Sequence, residues 1–149
     1  MALLNYTTTV DANRTVAQIQ DILRAHGAKS VLIKYDSEGL IESLSFQAIT
    51  PRGEFAIRLP IDPAAVLLVL ARNNVPRKYQ EKAQAVRIAW RIIKDWIEAQ
   101  MALLEAEMVD LEQIFLPYIG TKDGKTIYDK FLGQRRELGV GGGKEYEQD

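Results

Sequence analysis

Four short segments in the first part of the chain alternate between apolar and polar residues, a pattern typical of β-strands. We predict these strands over residues 4–10, 31–35, 40–48 and 55–59. Between the first two, Thr15 and Gln18 have the spacing of a capping box. This predicts a helix from Thr15 to about His26, with Gly27 as the residue that ends it. Turn-forming residues at 36–39 and 51–53 join the last three strands as hairpins.

The apolar spacing then changes to that of helices. Asp62 followed by Pro63 predicts the start of a short helix that reaches about Asn74. A long helix is predicted over residues 77–116, where Pro117 ends it, and a short helix over residues 126–132.

These elements predict an α+β fold with the order β-α-β-β-β-α-α. Its parts are an antiparallel meander sheet and one long C-terminal helix, with the helices packed on one side. We predict that residues 1–132 form this single domain. Residues 133–149, which are rich in glycine and charge, are predicted to be a flexible and mostly disordered tail.

The long helix is apolar over an arc of roughly 200° on a helical wheel, more than one sheet can cover. The surplus must pack on the Pro63 helix, on the C-terminal helix or on another subunit. We expect a homo-oligomer, with a dimer as the first choice, and an interface formed by Trp90, Trp96, Ile97 and Gln100. Gln100 lies inside the apolar arc, where a two-fold axis would supply a partner for its amide.

The charge of the same region reverses along the chain. Residues 71–94 contain seven basic residues and one acid, whereas residues 95–113 contain six acids and no base. A lone helix prefers the opposite arrangement, so groups outside the helix, such as an antiparallel partner or an anionic ligand, should compensate.

The charged residues of the long helix fall on one stripe of its surface. The basic part of this stripe contains Arg87, Arg91 and Lys94, which are our first candidates for binding the phosphates of a ligand. Arg58, on the polar face of the last predicted strand, is a further candidate. Two other interpretations stay open for the stripe, a solvated surface and pairing with the acidic half of a partner helix. The polar face around Arg58 equally fits the solvated side of an antiparallel sheet.

Composition narrows the classes of function. The net charge of −1 makes a general nucleic-acid coating role improbable, and the absence of cysteine excludes disulfides and thiol chemistry. The one histidine, His26, lies at a helix end, and no phosphate-loop, dinucleotide-binding or hydrolase motif is present. We therefore expect no enzyme, no catalytic residues, no metal site and no cofactor. Neither a membrane span nor a signal peptide is predicted, and the expected location is the cytoplasm.

Five segments together resemble a group of small uncharacterised proteins encoded by phages and prophages. The segments are NYTTTV at 5–10, TVAQIQDILRAHGAKSVLIKYD at 15–36, FAIRLPID at 55–62, AVRIAWRIIKDWIEAQMALLEAEM at 85–108 and FLPYI at 115–119. The resemblance covers residues 5–132 and supplies no site residues. It implies a phage gene product that works in a bacterial host cytoplasm.

In that context we expect a non-enzymatic binding protein. One hypothesis is that it sequesters a phosphate-bearing, nucleotide-derived immune signal and so counters host defence. The alternatives are an accessory protein that binds single-stranded nucleic acid during phage replication or recombination, and an oligomeric adaptor. The acidic run after residue 94 argues against a long nucleic-acid track.

Overall fold

The computed structural model describes residues 2–134, so the predicted tail falls almost entirely outside the described residues. The helices are α1 (Ala12–Ala25), α2 (Pro63–Arg72), α3 (Lys82–Glu105), α4 (Leu111–Phe115) and α5 (Ile127–Gln134). The strands are β1 (Ala28–Tyr35), β2 (Ile41–Thr50) and β3 (Gly53–Arg58). The predicted α+β class is confirmed.

The three strands form one antiparallel sheet in the order β1-β2-β3, as expected for two successive hairpins. Gly39 closes the first hairpin with a φ of 81°, a conformation that glycine adopts without steric cost. One face of the sheet is buried through Leu44, Phe46 and Ile57, and α1 and α3 cover it. The other face is left open and carries mostly polar and small side chains, together with exposed Leu32 and Ile49.

The apolar arc of α3 is divided between two cores. Val86, Trp90 and Ile97 pack towards the sheet and α1. Ala85 and Ile88 pack on α2 and the loop after it, around buried Leu70 and Val75. The surplus apolar surface is therefore covered by the Pro63 helix, one of the three partners that the sequence allowed.

The predicted first strand, residues 4–10, is wrong. This segment forms turns, and Asn5 has a left-handed φ of 64°. No strand among residues 2–134 pairs with the backbone of this segment. Instead, Nε2 of Gln84 donates hydrogen bonds to the carbonyl oxygens of Tyr6 and Thr8 at 3.0 and 2.9 Å. A side chain on α3 thus satisfies acceptors that a sheet ladder would otherwise satisfy.

The long helix is also shorter than predicted. It starts at Lys82, after a 3-10 turn at Arg77–Tyr79, and ends at Glu105. The chain then turns through Glu107, whose φ is 60°, and the backbone N–H of Met108 donates to the carbonyl of Leu103. This is the hydrogen-bond pattern of a Schellman C-cap. A capping box between Asp110 and Gln113 starts α4 as a separate helix.

The start of α1 differs from the prediction too. The helix begins at Ala12 after the N-cap Asp11, so Thr15 lies in the first turn and is not the cap. Thr15 is fully buried and its hydroxyl faces α3. The end of the helix is as predicted, because Gly27 adopts a φ of 93°.

Candidate functional site

Part of the reversed charge on α3, at its two ends, is compensated by other elements of the same chain. Lys82, at the basic end, pairs with Asp36 and Glu38 of the β1–β2 turn at 3.3 and 3.0 Å. Glu105, at the acidic end, accepts a 2.6 Å hydrogen bond from Nε2 of His26. These tertiary ion pairs supply part of the compensation that the charge pattern predicted.

Beyond the end of α3, Arg52 of the β2–β3 turn pairs with Glu112 at 2.5 Å and with Asp110 at 3.4 Å. The pKa of Arg52 is raised, mainly by its hydrogen bond to Glu112. One base from a hairpin turn thus neutralises part of the acidic run that follows Lys94.

Arg91 and Lys94, two of the predicted phosphate ligands, are engaged within the chain. Arg91 donates to Oε1 of Gln18 at 2.8 Å and reaches Oγ1 of Thr15 at 3.5 Å, so it braces α1 against α3. Lys94 pairs with Glu98 one turn further along α3. Neither residue lines the clefts described below.

Arg87 is placed differently, in the wall of an open cleft of about 410 Å³. The other lining residues come from the N-terminal segment, the 3-10 turn and the first turn of α3: Thr7, Thr8, Thr9, Lys78, Tyr79 and Gln84. The cleft therefore combines two cations, three threonines and one aromatic ring. No acidic side chain from residues 2–134 lines it.

The Arg87 guanidinium has only a neutral partner. Its Nη1 donates to Oε1 of Gln84 at 3.0 Å. Within residues 2–134, no carboxylate oxygen lies within 4.0 Å of the Arg87 or Lys78 nitrogens. Lys78 instead lies over the Tyr79 ring at 4.9 Å from its centroid. Both cations are thus available to an anion without first breaking an ion pair.

Gln84 fixes the shape of the cleft. Its side chain is 7% exposed, and all of its polar atoms are used: Nε2 holds the carbonyls of Tyr6 and Thr8, and Oε1 holds Arg87. Asn5 gives a second attachment through a 2.9 Å hydrogen bond to Asp95. The threonine segment is therefore tied to the same helix that carries Arg87.

Two helix N-termini lie near the cleft. These are the N-termini of α1 and α3. Thr15, near the start of α1, contacts Arg91 of α3, and His26, just after the end of α1, contacts Glu105 at the end of α3. The two helices therefore run parallel. Neither N-cap side chain, Asp11 or Glu81, bonds to its helix. Because Asp11 and Glu81 are themselves carboxylates, the positive ends of the two helix dipoles add no net positive charge to that of Lys78 and Arg87.

The aromatic side of the cleft is preassembled. Tyr79 packs edge-to-face on Tyr6, with ring centroids 5.6 Å apart and an interplanar angle of 80°. This contact holds the Tyr79 ring in place at the cleft, with Lys78 over one of its faces.

Arg58, the fourth predicted ligand residue, lies elsewhere, on the open face of the sheet. It lines a smaller cleft of about 170 Å³ together with Ser45, Lys125 and Thr126. The predicted group of four thus divides into one residue in the larger cleft, one in the smaller cleft and two engaged within the helices.

The residues predicted to form an oligomer interface are largely used inside the chain. Trp90 and Ile97 have no exposed surface, and Nε1 of Trp90 donates to the carbonyl of Ile41 at 3.3 Å. Trp96 is partly buried against Phe115 and Tyr118. Gln100 is partly exposed. Only Trp96 and Gln100 could contact another subunit without opening the core, and the homo-oligomer stays a prediction.

Sequence reasoning missed the partners of Arg87. The threonine run at 7–9 was assigned to a strand, and Lys78 and Tyr79 were assigned to the long helix. Pro76 before them was the signal that this stretch forms a separate turn. No group of residues among positions 2–134 has the composition of a metal site. None of the helices in that range is sufficiently long and apolar to span a membrane.

No protein-family model, curated protein or solved structure gives a significant match to this chain. The resemblance to phage proteins is therefore an expectation from sequence alone, and the site has to be interpreted from its own chemistry.

Proposed function

We propose that the protein is a non-enzymatic binding protein that captures a phosphate-bearing nucleotide in the cleft between residues 7–9 and α3. The observation that supports this is the pair of cations, Lys78 and Arg87, that face an acid-free cleft beside the Tyr79 ring. Arg and Lys donors suit phosphate oxygens, and the aromatic wall suits a base.

The size of the cleft agrees with a small ligand. Its volume of about 410 Å³ lies within the range of small-molecule pockets, which runs from about 300 to 1,000 Å³. Threonine hydroxyls can donate to phosphate or ribose oxygens, and they accept as well. In the phage context, the proposed role is sequestration of a nucleotide immune signal, which requires binding and no chemical step.

The test is a thermal-shift and calorimetric titration with ADP, a cyclic dinucleotide, cyclic ADP-ribose and pyrophosphate. A ligand present at 100 times its Kd stabilises the folded state by about 2.7 kcal/mol, which is readily measured as a rise in Tm. We expect at least one of the nucleotides to bind, and Arg87→Gln and Lys78→Gln each to weaken that binding at least tenfold.

Arg24→Gln and Lys34→Gln are matched controls. Each removes one exposed cation away from the cleft, at the end of α1 and on β1, and should leave binding unchanged. Equal weakening by test and control variants would mean general charge attraction and would refute the site. Absence of a shift with all four ligands would refute the proposal, and retention of a labelled single-stranded oligonucleotide instead would favour the alternative function.

The double variant Arg87→Gln/Arg91→Gln distinguishes a ligand site from a partner-helix contact. If Arg87 serves a ligand, binding is lost while the oligomeric state is kept. If these residues pair with the acidic half of a partner helix, the same change reduces the mass measured by light scattering.

A further inference from the structure

The open face of the sheet contains a second cleft, separate from the cleft at Arg87. The cross-strand pairs Leu32↔Ser45 and Ser45↔Arg58 place these three residues in one row across β1, β2 and β3. The next row is Ser30, Gln47 and Ala56. Serine and alanine have small side chains. The face therefore has a depression at its centre, between Leu32 on one side and Arg58 on the other.

Two adjoining cavities follow this depression and share Ser45 and Ala56. One, of about 310 Å³, lies over Leu32, Phe46 and Gln47. The other, of about 170 Å³, lies between Arg58 and the turn at residues 120–126. The turn is attached to β3 by a 2.8 Å hydrogen bond from the N–H of Gly120 to the carbonyl of Ala56.

The second cavity is basic. Arg58 is exposed on β3, Lys125 lies across from it on the turn, and neither pairs with a carboxylate within 4.0 Å among residues 2–134. Asp129 is an opposing charge that acts on them. Its pKa is lowered first by the backbone N–H of Thr126 and further by the charges of Arg58 and Lys125. A second acid, Asp123 of the same turn, is paired with Lys130, so the two cations and Asp129 leave a net positive site.

The first cavity supplies an apolar floor beside this charge. Leu32 is 58% exposed, which is unusual for a leucine in the middle of a strand, and its neighbours in the cavity include Ala56. Adjacent strands lie about 4.8 Å apart, so Leu32 and Arg58 are separated by roughly 10 Å across Ser45. A ligand that contacts both needs an anionic head and a flat apolar body of about that length.

We propose that the sheet face binds a small organic oxyanion, with its phosphate or carboxylate head between Arg58 and Lys125 and its apolar body over Leu32 and Ala56. Ser45 lies between the two parts and can donate its hydroxyl to the head. This site is distinct from the proposed nucleotide cleft and shares no residue with it.

The test is a two-dimensional amide NMR titration with three probes: phenyl phosphate, inorganic phosphate and benzyl alcohol. We expect phenyl phosphate to shift the amides of Gly120, Gly124 and Leu32 and to bind at least fivefold more tightly than inorganic phosphate. Arg58→Gln and Lys125→Gln should each weaken phenyl phosphate at least fivefold. Leu32→Ser should weaken phenyl phosphate but leave inorganic phosphate unchanged.

Two control variants keep this test independent of the nucleotide cleft. Lys34→Gln removes an exposed cation of β1 outside both cavities, and Arg87→Gln removes the principal cation of the other cleft; neither should alter the shifts of Gly120, Gly124 and Leu32. Shifts confined to residues 7–9 and 78–79, or affinity unaffected by both Arg58→Gln and Lys125→Gln, would overturn this proposal. Equal affinity for phenyl phosphate and inorganic phosphate would overturn it as well.

Discussion

Gln84 carries more of the local structure than its polar side chain suggests. It is a buried amide that holds two carbonyls of the N-terminal segment and orients Arg87. Because buried acceptors left without a donor cost free energy, its effect on stability comes mainly from Tyr6 and Thr8. The residue links the fold of the first ten residues to the geometry of the cleft.

We predict that Gln84→Met lowers the free energy of unfolding by about 1–3 kcal/mol, since two partly buried carbonyls lose their donor. Urea denaturation measures this change. Gln20→Met, at a partly exposed position of α1, is the matched control and should change stability by less than about 0.5 kcal/mol. Gln84→Glu should resemble Gln84→Met, because a carboxylate cannot donate. Wild-type stability in both Gln84 variants would contradict this role.

His26 should make the stability of the protein depend on pH. Its Nδ1 faces the carbonyl of Ile22 at 2.7 Å and its Nε2 faces Glu105 at 2.6 Å, so both ring nitrogens meet acceptors and the imidazolium satisfies both. The pKa of His26 is raised, first by the Ile22 carbonyl and then by Glu105, and burial opposes the shift.

A raised pKa means that the folded state holds this proton more tightly than the unfolded state. The stabilisation is therefore fully present below about pH 6.5, the unfolded value, and is lost as pH rises through the folded pKa. We predict that the wild type is more stable at pH 6 than at pH 8 by about 1 kcal/mol or less, because Glu105 is exposed. Denaturation of His26→Gln at the two pH values should show a smaller difference, and an equal difference would refute the role of His26.

At the scale of elements, the break after α3 depends on one residue in an unfavourable conformation. Glu107 occupies the left-handed position of the Schellman cap, where glycine is usual. Its carboxylate also lies at the negative end of the helix dipole. The cap is thus formed correctly but with a residue that costs stability.

We predict that Glu107→Gly raises the free energy of unfolding by about 0.5–1 kcal/mol, through relief of the left-handed strain. Glu107→Gln removes the charge but keeps a side chain at the left-handed position, so it should give only part of the gain in the free energy of unfolding. Ala106→Gly, one residue earlier at an ordinary φ of −76°, should lower stability. Thermal and urea denaturation of the three variants provide the measurement, and a loss of stability in Glu107→Gly would contradict the argument.

The elements that sequence predicted well are those defined by local rules. The hairpin turns, Gly27 and the Asp62–Pro63 helix start depend on residues a few positions apart. The strand at 4–10 failed because its hydrogen bonds depend on Gln84, 78 residues from Tyr6. The break before α4 was readable from the Asp110–Gln113 capping box, but the apolar spacing continues through it.

The residues of the candidate site likewise differ in whether the sequence could predict them. Arg87 could be chosen from sequence because its charge lies on a helical stripe without a nearby acid. Lys78, Tyr79 and residues 7–9 could not be grouped with it, since they meet only through tertiary contacts. Arg91 was grouped with Arg87 because both lie on the same stripe. Its acceptor on α1 could not be foreseen, since it is remote in sequence.

At the scale of the whole molecule, α3 joins two hydrophobic cores into one. The sheet-side core contains Trp90 and Ile97, and the α2-side core contains Leu70 and Ile88. A helix of 24 residues that belongs to both should prevent either core from unfolding alone. Both tryptophans of the chain lie on α3, and Trp90 lies in the sheet-side core and Trp96 packs against it, so their fluorescence reports on that side.

We predict that Leu70→Ala, in the α2-side core, shifts the tryptophan fluorescence transition and the far-ultraviolet circular dichroism transition together. Leu70 is fully buried, so the expected loss is about 2–5 kcal/mol. Leu44→Ala, equally buried in the sheet-side core, is the matched comparison and should shift both signals by a similar amount. If Leu70→Ala lowered the circular dichroism midpoint and left the tryptophan midpoint in place, the two cores would unfold separately. The two cores would then share α3 in the structure without unfolding cooperatively.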